Sequence, residues 1–431
     1  MKKFFVKYFL SEEFLAKEVF VFFIFYCLFP TIRVLTIGHN ASKNTLELVL
    51  SSLPELWMAV LFLRGAVLWK RNIPKLHLID YLLIVYVVMN ITIGALLADR
   101  FIPALYSIRL AFFPIGFYIL GRVLFLHNEE ILVRFLNRFL ILLLTIALAG
   151  IVLYFFFFDT MIEMILQSVG IVSEYVIVRM SSVFWTPVLL SPFMCIGFIY
   201  CIYKLCKIDR PIYYLFIAVF WSCLILSVGR GSIIATLFGM FFIIVYARKW
   251  KVLVKTIITM TVCCAILSFF IPFFWDLLKW IFLSMEQTAS LDAHETRVIY
   301  AKKAVDVFVN HISGIGFGKT GTVARRFYSL DPNLASLYST DSWYIKIANE
   351  TGIAGLASYL LLVTAVVWLF IRNKIKSNHI AFFLVAFFCA FNIENIVHNL
   401  PDFVILSHFY WLMLGAAIHF LKIKKPVVSD H

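Results

Sequence analysis

Charged side chains are scarce in this chain. Asp, Glu, Lys and Arg together make up 14% of its 431 residues while 63% are hydrophobic, against about 25% and 45–50% in soluble domains, which excludes a water-soluble globule. Carboxylates are the scarcer sign, with 24 Asp+Glu against 38 Lys+Arg and a formal net charge of +14. In a soluble chain that surplus would suggest nucleic acid; here the placement of the cations decides its meaning, and no nucleic acid partner is expected. The 8 cysteines form no CxxC pair and lie almost wholly inside apolar runs, so they read as reduced packing residues, with neither zinc nor disulfide implied. DxD and HExxH spacings are missing too, so no metal and no other cofactor is expected. The start Met1-Lys2-Lys3 leads into an apolar stretch that lacks a small-residue cleavage site, and it reads as a retained first span.

What the chain does have is a succession of apolar runs of about 20 residues, each long enough to cross a hydrocarbon core of about 30 Å as a helix. They place spans at roughly 14–37, 46–69, 76–98, 103–123, 134–158, 181–205, 211–228, 231–247, 252–272, 352–371, 378–396 and 402–421. The expected fold is an all-α polytopic membrane protein, residues 1–431 forming a single integral membrane domain of about 12 transmembrane helices. One large extracytoplasmic loop with short helices, 273–351, is inserted between spans. With the N-terminus inside, the cytoplasmic segments collect clusters such as Lys204, Lys207 and Arg210, then Arg248, Lys249, Lys251 and Lys255, then Lys422, Lys424 and Lys425. The short outside loops hold only Lys43, Arg100 and Arg230, so the positive-inside rule predicts both termini in the cytoplasm and the large loop outside. A smaller outside segment, 159–180, carries an amphipathic stretch from Met161 to Val178 expected to lie along the interface.

Within the large loop, Asp292-Ala-His-Glu295 has the form of a capping box, and Val298, Ala301, Val305 and Phe308 follow with helical spacing. This predicts a helix that packs one face and breaks at Asn310-His311. Gly314-Ile-Gly316-Phe-Gly318-Lys319 comes next, a turn whose glycines let backbone approach something closely. It follows a helix, where a dinucleotide fingerprint would need a strand before it. Further on, Asp341 to Gly352 reads as a short helix capped by Asp341 and ended by Gly352, with Trp343 and Tyr344 suited to the membrane interface.

Arg230 stands in Ser227-Val-Gly-Arg230-Gly-Ser-Ile-Ile-Ala235, at the outer hinge between two apolar spans. A guanidinium at that depth is costly unless it faces a cavity or an anion, which makes it a functional candidate, and the flanking glycines would let a ligand approach. Arg179 is a similar boundary arginine whose alternative is snorkelling to headgroups. Arg33, Arg64 and Arg109 could each pair with a carboxylate inside the bundle or snorkel. Arginines converging at the outer boundary suit a diphosphate, which their rigid forks bind bidentately. The substrate implied is polyprenyl-diphosphate-linked, with arginine rather than metal stabilising the leaving group.

Four stretches, in order, make the chain resemble the O-antigen ligase and polymerase (Wzy-type) superfamily of bacterial surface-polysaccharide enzymes. They are Arg179 with Phe184 and Pro187, the Ser227–Ala235 hinge, Arg297 a helix before Gly314-Ile-Gly316-Phe-Gly318, and Asp341-Ser-Trp-Tyr-Ile followed by Glu350-Thr-Gly352-Ile-Ala-Gly355-Leu. Ligases of the family carry His-Asn where this chain has Asp341-Ser342, a form that resembles many polymerases. The resemblance implies inverting glycosyl transfer on the outer face of the bacterial cytoplasmic membrane. A glycan on undecaprenyl diphosphate would be the donor and a lipid-linked repeat unit the acceptor. Arg179, Arg230 and Arg297 would neutralise the diphosphate and Asp341 would take the acceptor proton. Glu350, Arg325, Arg326 and Lys319 are secondary candidates. Membrane lipids and a polysaccharide chain-length regulator are the further partners implied. Two alternatives remain at this point: a ligase transferring polymer to lipid A core, and a transporter of an anionic substrate, which would ordinarily show paired repeats with broken helices.

Overall fold

The computed structural model describes residues 11–37, 45–72, 76–125, 129–157, 179–184, 187–271, 274–275, 278, 291–328, 342–372 and 379–420. The first half contains α1 (Glu12–Ile37), α2 (Thr45–Asn72), α3 (Leu78–Leu96), α4 (Phe101–Phe112), α5 (Gly116–Leu124) and α6 (Glu129–Phe156). The second contains α7 (Pro187–Ile208), α8 (Ile212–Ser227), α9 (Arg230–Ala247), α10 (Trp250–Phe270), α11 (Leu291–Asn310), α12 (Gly321–Phe327), α13 (Trp343–Arg372), α14 (His379–Glu394) and α15 (Val404–Phe420). No strand occurs among the described residues. In hydrocarbon the helix satisfies every backbone N–H and C=O within one segment.

Among the described residues, eight helical stretches are long and apolar enough to cross a membrane, and α8, α14 and α15 are shorter apolar helices. The chain is an all-α polytopic membrane protein. α2 also falls where a span is expected, but it carries Glu55, Arg64 and Lys70 along its length. Two of those charges are matched, Arg64 pairing with Glu18 of α1 and Glu55 with Arg109 of α4. Of the two readings open for Arg64 and Arg109, carboxylate pairing is the one found; the side chain of Arg33 lies outside the described residues.

Burial sorts the spans in a way hydropathy does not. The apolar window of α7 is 94% buried and that of α10 only 22%, so α7 is the central helix and α10 a peripheral one facing hydrocarbon. α5 and α15 approach backbone to backbone, because Gly121 and Gly415 face each other's helix. A Cβ at either would lie 2.1 or 2.2 Å from a carbonyl oxygen of the partner, the small-residue packing that membrane helices use in place of a hydrophobic drive. Next to this crossing, fully buried Arg122 pairs with Asp80 at 3.0 Å, and Asp80 also accepts from the Tyr118 hydroxyl at 2.5 Å.

Backbone hydrogen bonds gather the functional segments at one end of the bundle. Phe317 N–H donates to Gly94 O of α3 at 2.9 Å, Ile315 N–H to Asn349 O at 2.7 Å, Met180 N–H to Leu226 O at 3.0 Å, and Trp343 N–H to Asn395 O at 3.0 Å. The end of α3 therefore meets the 311–320 turn, the turn meets α13, the start of α13 meets the α14–α15 connection, and residue 180 meets the end of α8.

The loop helix α11 ends at Asn310 as expected, but its packed face differs. Ala304 is buried with Val307 and Phe308 half-buried, while Ala301 and Val305 are exposed. Beside a bilayer, apolar character does not by itself mark the protein-facing side. The helix begins at Leu291, which puts Asp292 inside the first turn; residues preceding it, and with them the capping box as a cap, lie outside the described residues. So does the stretch Met161–Val178.

Candidate active site at the α8–α9 hinge

The hinge is built by two unusual backbone positions. Val228 ends α8 in the left-handed region at φ 55°, and Gly229 precedes Arg230, the first residue of α9. A cation at a helix N-terminus opposes the macrodipole, at a cost of about 0.3–1 kcal/mol. Arg230 is half-buried there. Arg179 reaches the same hinge from the other side, donating Nε–H to Ser227 O at 2.9 Å and Nη2–H to Val228 O at 3.3 Å. It thereby closes carbonyls that the end of α8 leaves open.

The flanking glycines have a different use from the one expected. A Cβ on Gly229 would sit 2.4 Å from the Ser191 side chain, and one on Gly231 would sit 2.5 Å from Val397 Cγ2 and 3.0 Å from His398 Nδ1. Their missing side chains admit neighbouring protein atoms, so this space is filled from α7 and the α14–α15 connection. That packing brings in two groups with no counterpart among the sequence candidates. Glu394, buried, accepts a hydrogen bond from Ser232 Oγ, and its Oε1 lies 3.4 Å from His398 Nδ1. Glu394 stands at the end of an apolar run with a histidine four residues on, a signal that an ionisable residue at membrane depth would have supplied.

The Asp341-Ser342 segment meets this same connection. Ser342 Oγ donates to Asn395 O at 3.3 Å, and Trp343 N–H donates to that oxygen as well. Ser342 O accepts the first bond of α13, from Lys346 N–H at 3.0 Å, so the N-cap position is Ser342 rather than Asp341. Asp341 itself lies outside the described residues. Trp343 is 3% exposed and packs inside the bundle instead of at the lipid interface. Gly352, at φ 70°, breaks the helix as expected, yet α13 resumes at once and runs to Arg372.

Glu350 is tied to the loop. Its carboxylate, 2% exposed, accepts from Gly318 N–H at 3.1 Å and from Ser107 Oγ–H at 3.3–3.4 Å. Beside it, buried Lys346 pairs with Asp402 at 2.5 Å, and Asp402 also accepts from Asn399 Nδ2 at 2.7 Å and Thr322 Oγ1 at 3.1 Å. The remaining candidates form the rim. Lys319 lies 3.7 Å from Asp99, whose carboxylate also accepts from the Tyr328 hydroxyl at 2.7 Å. Partial burial raises the Asp99 carboxyl, but Tyr328, Lys319 and Arg100 outweigh it and hold it below the usual carboxylate range. Arg326 donates to Tyr106 Oη at 3.1 Å and, with Arg109, lies over the Tyr106 ring at 5.1 and 5.3 Å. Arg297 is on α11 and Arg325 is on α12; their side chains lie outside the described residues.

Arg179 thus has a bracing role that the sequence did not show. Arg179→Ala is expected to lower stability by about 1.5–3 kcal/mol, the range for hydrogen bonds from a charged donor, read as a lower melting temperature in detergent. If the guanidinium also contacts a diphosphate, transfer by the folded fraction falls too, with KM rising.

Residues 215–360 match the family model described as Wzy_C, O-antigen ligase. No curated protein matches the chain in sequence. The matched segment runs from α8 through the hinge arginine, the α11 loop and the glycine turn to the middle of α13. Over that segment, about a third of the chain, the protein is similar to the O-antigen ligase family.

Proposed function

We propose that the protein is a polysaccharide polymerase, serving O-antigen, capsule or exopolysaccharide synthesis. It transfers a growing glycan from undecaprenyl diphosphate to a lipid-linked repeat unit by inverting glycosyl transfer. The observation that carries this is the meeting of Arg179, Arg230 and the docked Ser342 segment at one end of the bundle. A helix N-terminus with an arginine on its first residue suits an anion, and on this reading the hinge takes the diphosphate. Arg230, with Arg179 and Arg297, balances the charge that develops as the diphosphate departs. Asp341, next to Ser342, takes the proton of the attacking hydroxyl. On this reading the site faces outward from the cytoplasmic membrane, both termini are cytoplasmic, and a chain-length regulator sets product size.

The experiment is direct: purified protein in detergent or vesicles is given a synthetic undecaprenyl-diphosphate repeat unit without added metal. A ladder of products is expected. The ligase reading shares the family description, and a single transfer of polymer to lipid A core with no ladder would establish it instead.

A further inference from the structure

We propose that His398, held by Glu394, is the proton donor to the departing diphosphate, an assignment that rests on the transfer reaction above. The ring edge of His398 bearing Nδ1 and Cε1 lies against Gly231, one residue from Arg230. Its Nδ1 is buried, makes no hydrogen bond among the described residues, and has the Glu394 carboxylate 3.4 Å away. With only an acceptor opposite, Nδ1 keeps its proton, which leaves Nε2 as the atom that gains and loses one. The side chain is 21% exposed, so Nε2 can reach a ligand at the hinge. Glu394 on the preceding turn faces Nδ1; Arg230 opens α9 next to Gly231, Arg179 is bonded to the carbonyls of Ser227 and Val228, and Lys346 and Asp402 one turn on are paired with each other.

Glu394 has a reason to be there. Its Oε1, 3.4 Å from Nδ1, orients the ring so that the opposite edge carries Nε2. In the reaction the C1–O bond of the donor sugar breaks, its electron pair going to the diphosphate oxygen, and the acceptor hydroxyl oxygen bonds to C1. The hydroxyl proton goes to Asp341 while the Nε2 proton goes to the diphosphate. Exchange with water then returns one proton to His398 and removes one from Asp341, so the net transfer is from hydroxyl to diphosphate.

The test compares wild type, His398→Gln and Glu394→Gln in the ladder assay across pH, each checked for melting temperature and monodispersity. His398→Gln is expected to lower kcat by 10- to 100-fold with KM changed less than about threefold, within the range of general acid–base contributions. The wild-type rate should show an alkaline limb that vanishes in His398→Gln, and Glu394→Gln, which loses the carboxylate orienting the ring, should lower kcat in the same direction. A donor with a difluoromethylene-bridged diphosphate, a less basic leaving group, should narrow the gap between His398→Gln and wild type. A folded His398→Gln protein with wild-type kcat and an unchanged alkaline limb overturns the assignment while leaving the transfer reaction standing. An inactive wild type overturns the reaction itself, and the proton-donor role with it.

Discussion

Arg230→Ala is expected to reduce glycan transfer by about 10²–10³-fold in kcat, the cost of removing one preorganised charge stabiliser from a developing oxyanion. Arg230 is the hinge cation whose position works against folding. It opens α9, where the helix end is already positive, and it is only half-buried beside the Glu394–His398 pair. Removing it relieves the opposition to the helix dipole, and the melting temperature of Arg230→Ala separates lost chemistry from lost fold. Arg230→Lys should recover only part of the rate, since a point ammonium cannot fork onto two phosphate oxygens. The measurement is ladder formation by purified protein at saturating donor. A folded Arg230→Ala enzyme with undiminished turnover would show that the diphosphate is held elsewhere.

Gly316→Ala should do the reverse, removing the fold rather than the chemistry. Gly316 has φ 93°, and a Cβ there would lie 2.2 Å from Leu97 O and 2.7 Å from Ala98 N. The positive φ alone costs an L-residue about 1–2 kcal/mol, and the clash is with backbone, which cannot rotate away. A total of about 3–5 kcal/mol is the expected loss, at the upper end of overpacking and strain. The turn would leave its seat, where Gly316 N–H donates to Glu350 O and Gly318 N–H to the Glu350 carboxylate. Protease nicking within 311–320 and a lowered melting temperature would report it. A stable, protease-resistant Gly316→Ala protein would mean that the turn can seat itself another way.

These two outcomes separate what looks alike in sequence. Arg230 and Gly316 both sit in short motifs of glycine and polar residues between apolar stretches; the glycines beside Arg230 read as room for a ligand and those of the turn as places where backbone comes close to something. The turn glycines instead make room for the chain's own backbone, and Gly231 makes room for His398. Glu350, a candidate base by its motif, is spent on the turn's amide. No rule of spacing distinguishes a glycine that admits a ligand from one that admits a neighbouring helix, because both demand only a missing Cβ.

The sequence by itself determined that this is an all-helical chain of many spans, where most of those spans lie, and that a hinge arginine is a costly group in search of an anion. Those properties follow from local terms, namely the length of an apolar run and the price of a charge in hydrocarbon. Only the tertiary structure decided that α7 is central and α10 peripheral, since lipid and protein interior are equally apolar and reward the same residues. The structure alone also joined Arg179 and Arg230 to Glu394 and His398, from segments more than a hundred residues apart in the chain. Such a meeting is set by which helices can approach closely, through pairs such as Gly121 and Gly415, and that complementarity is a property of two surfaces rather than of either stretch of sequence.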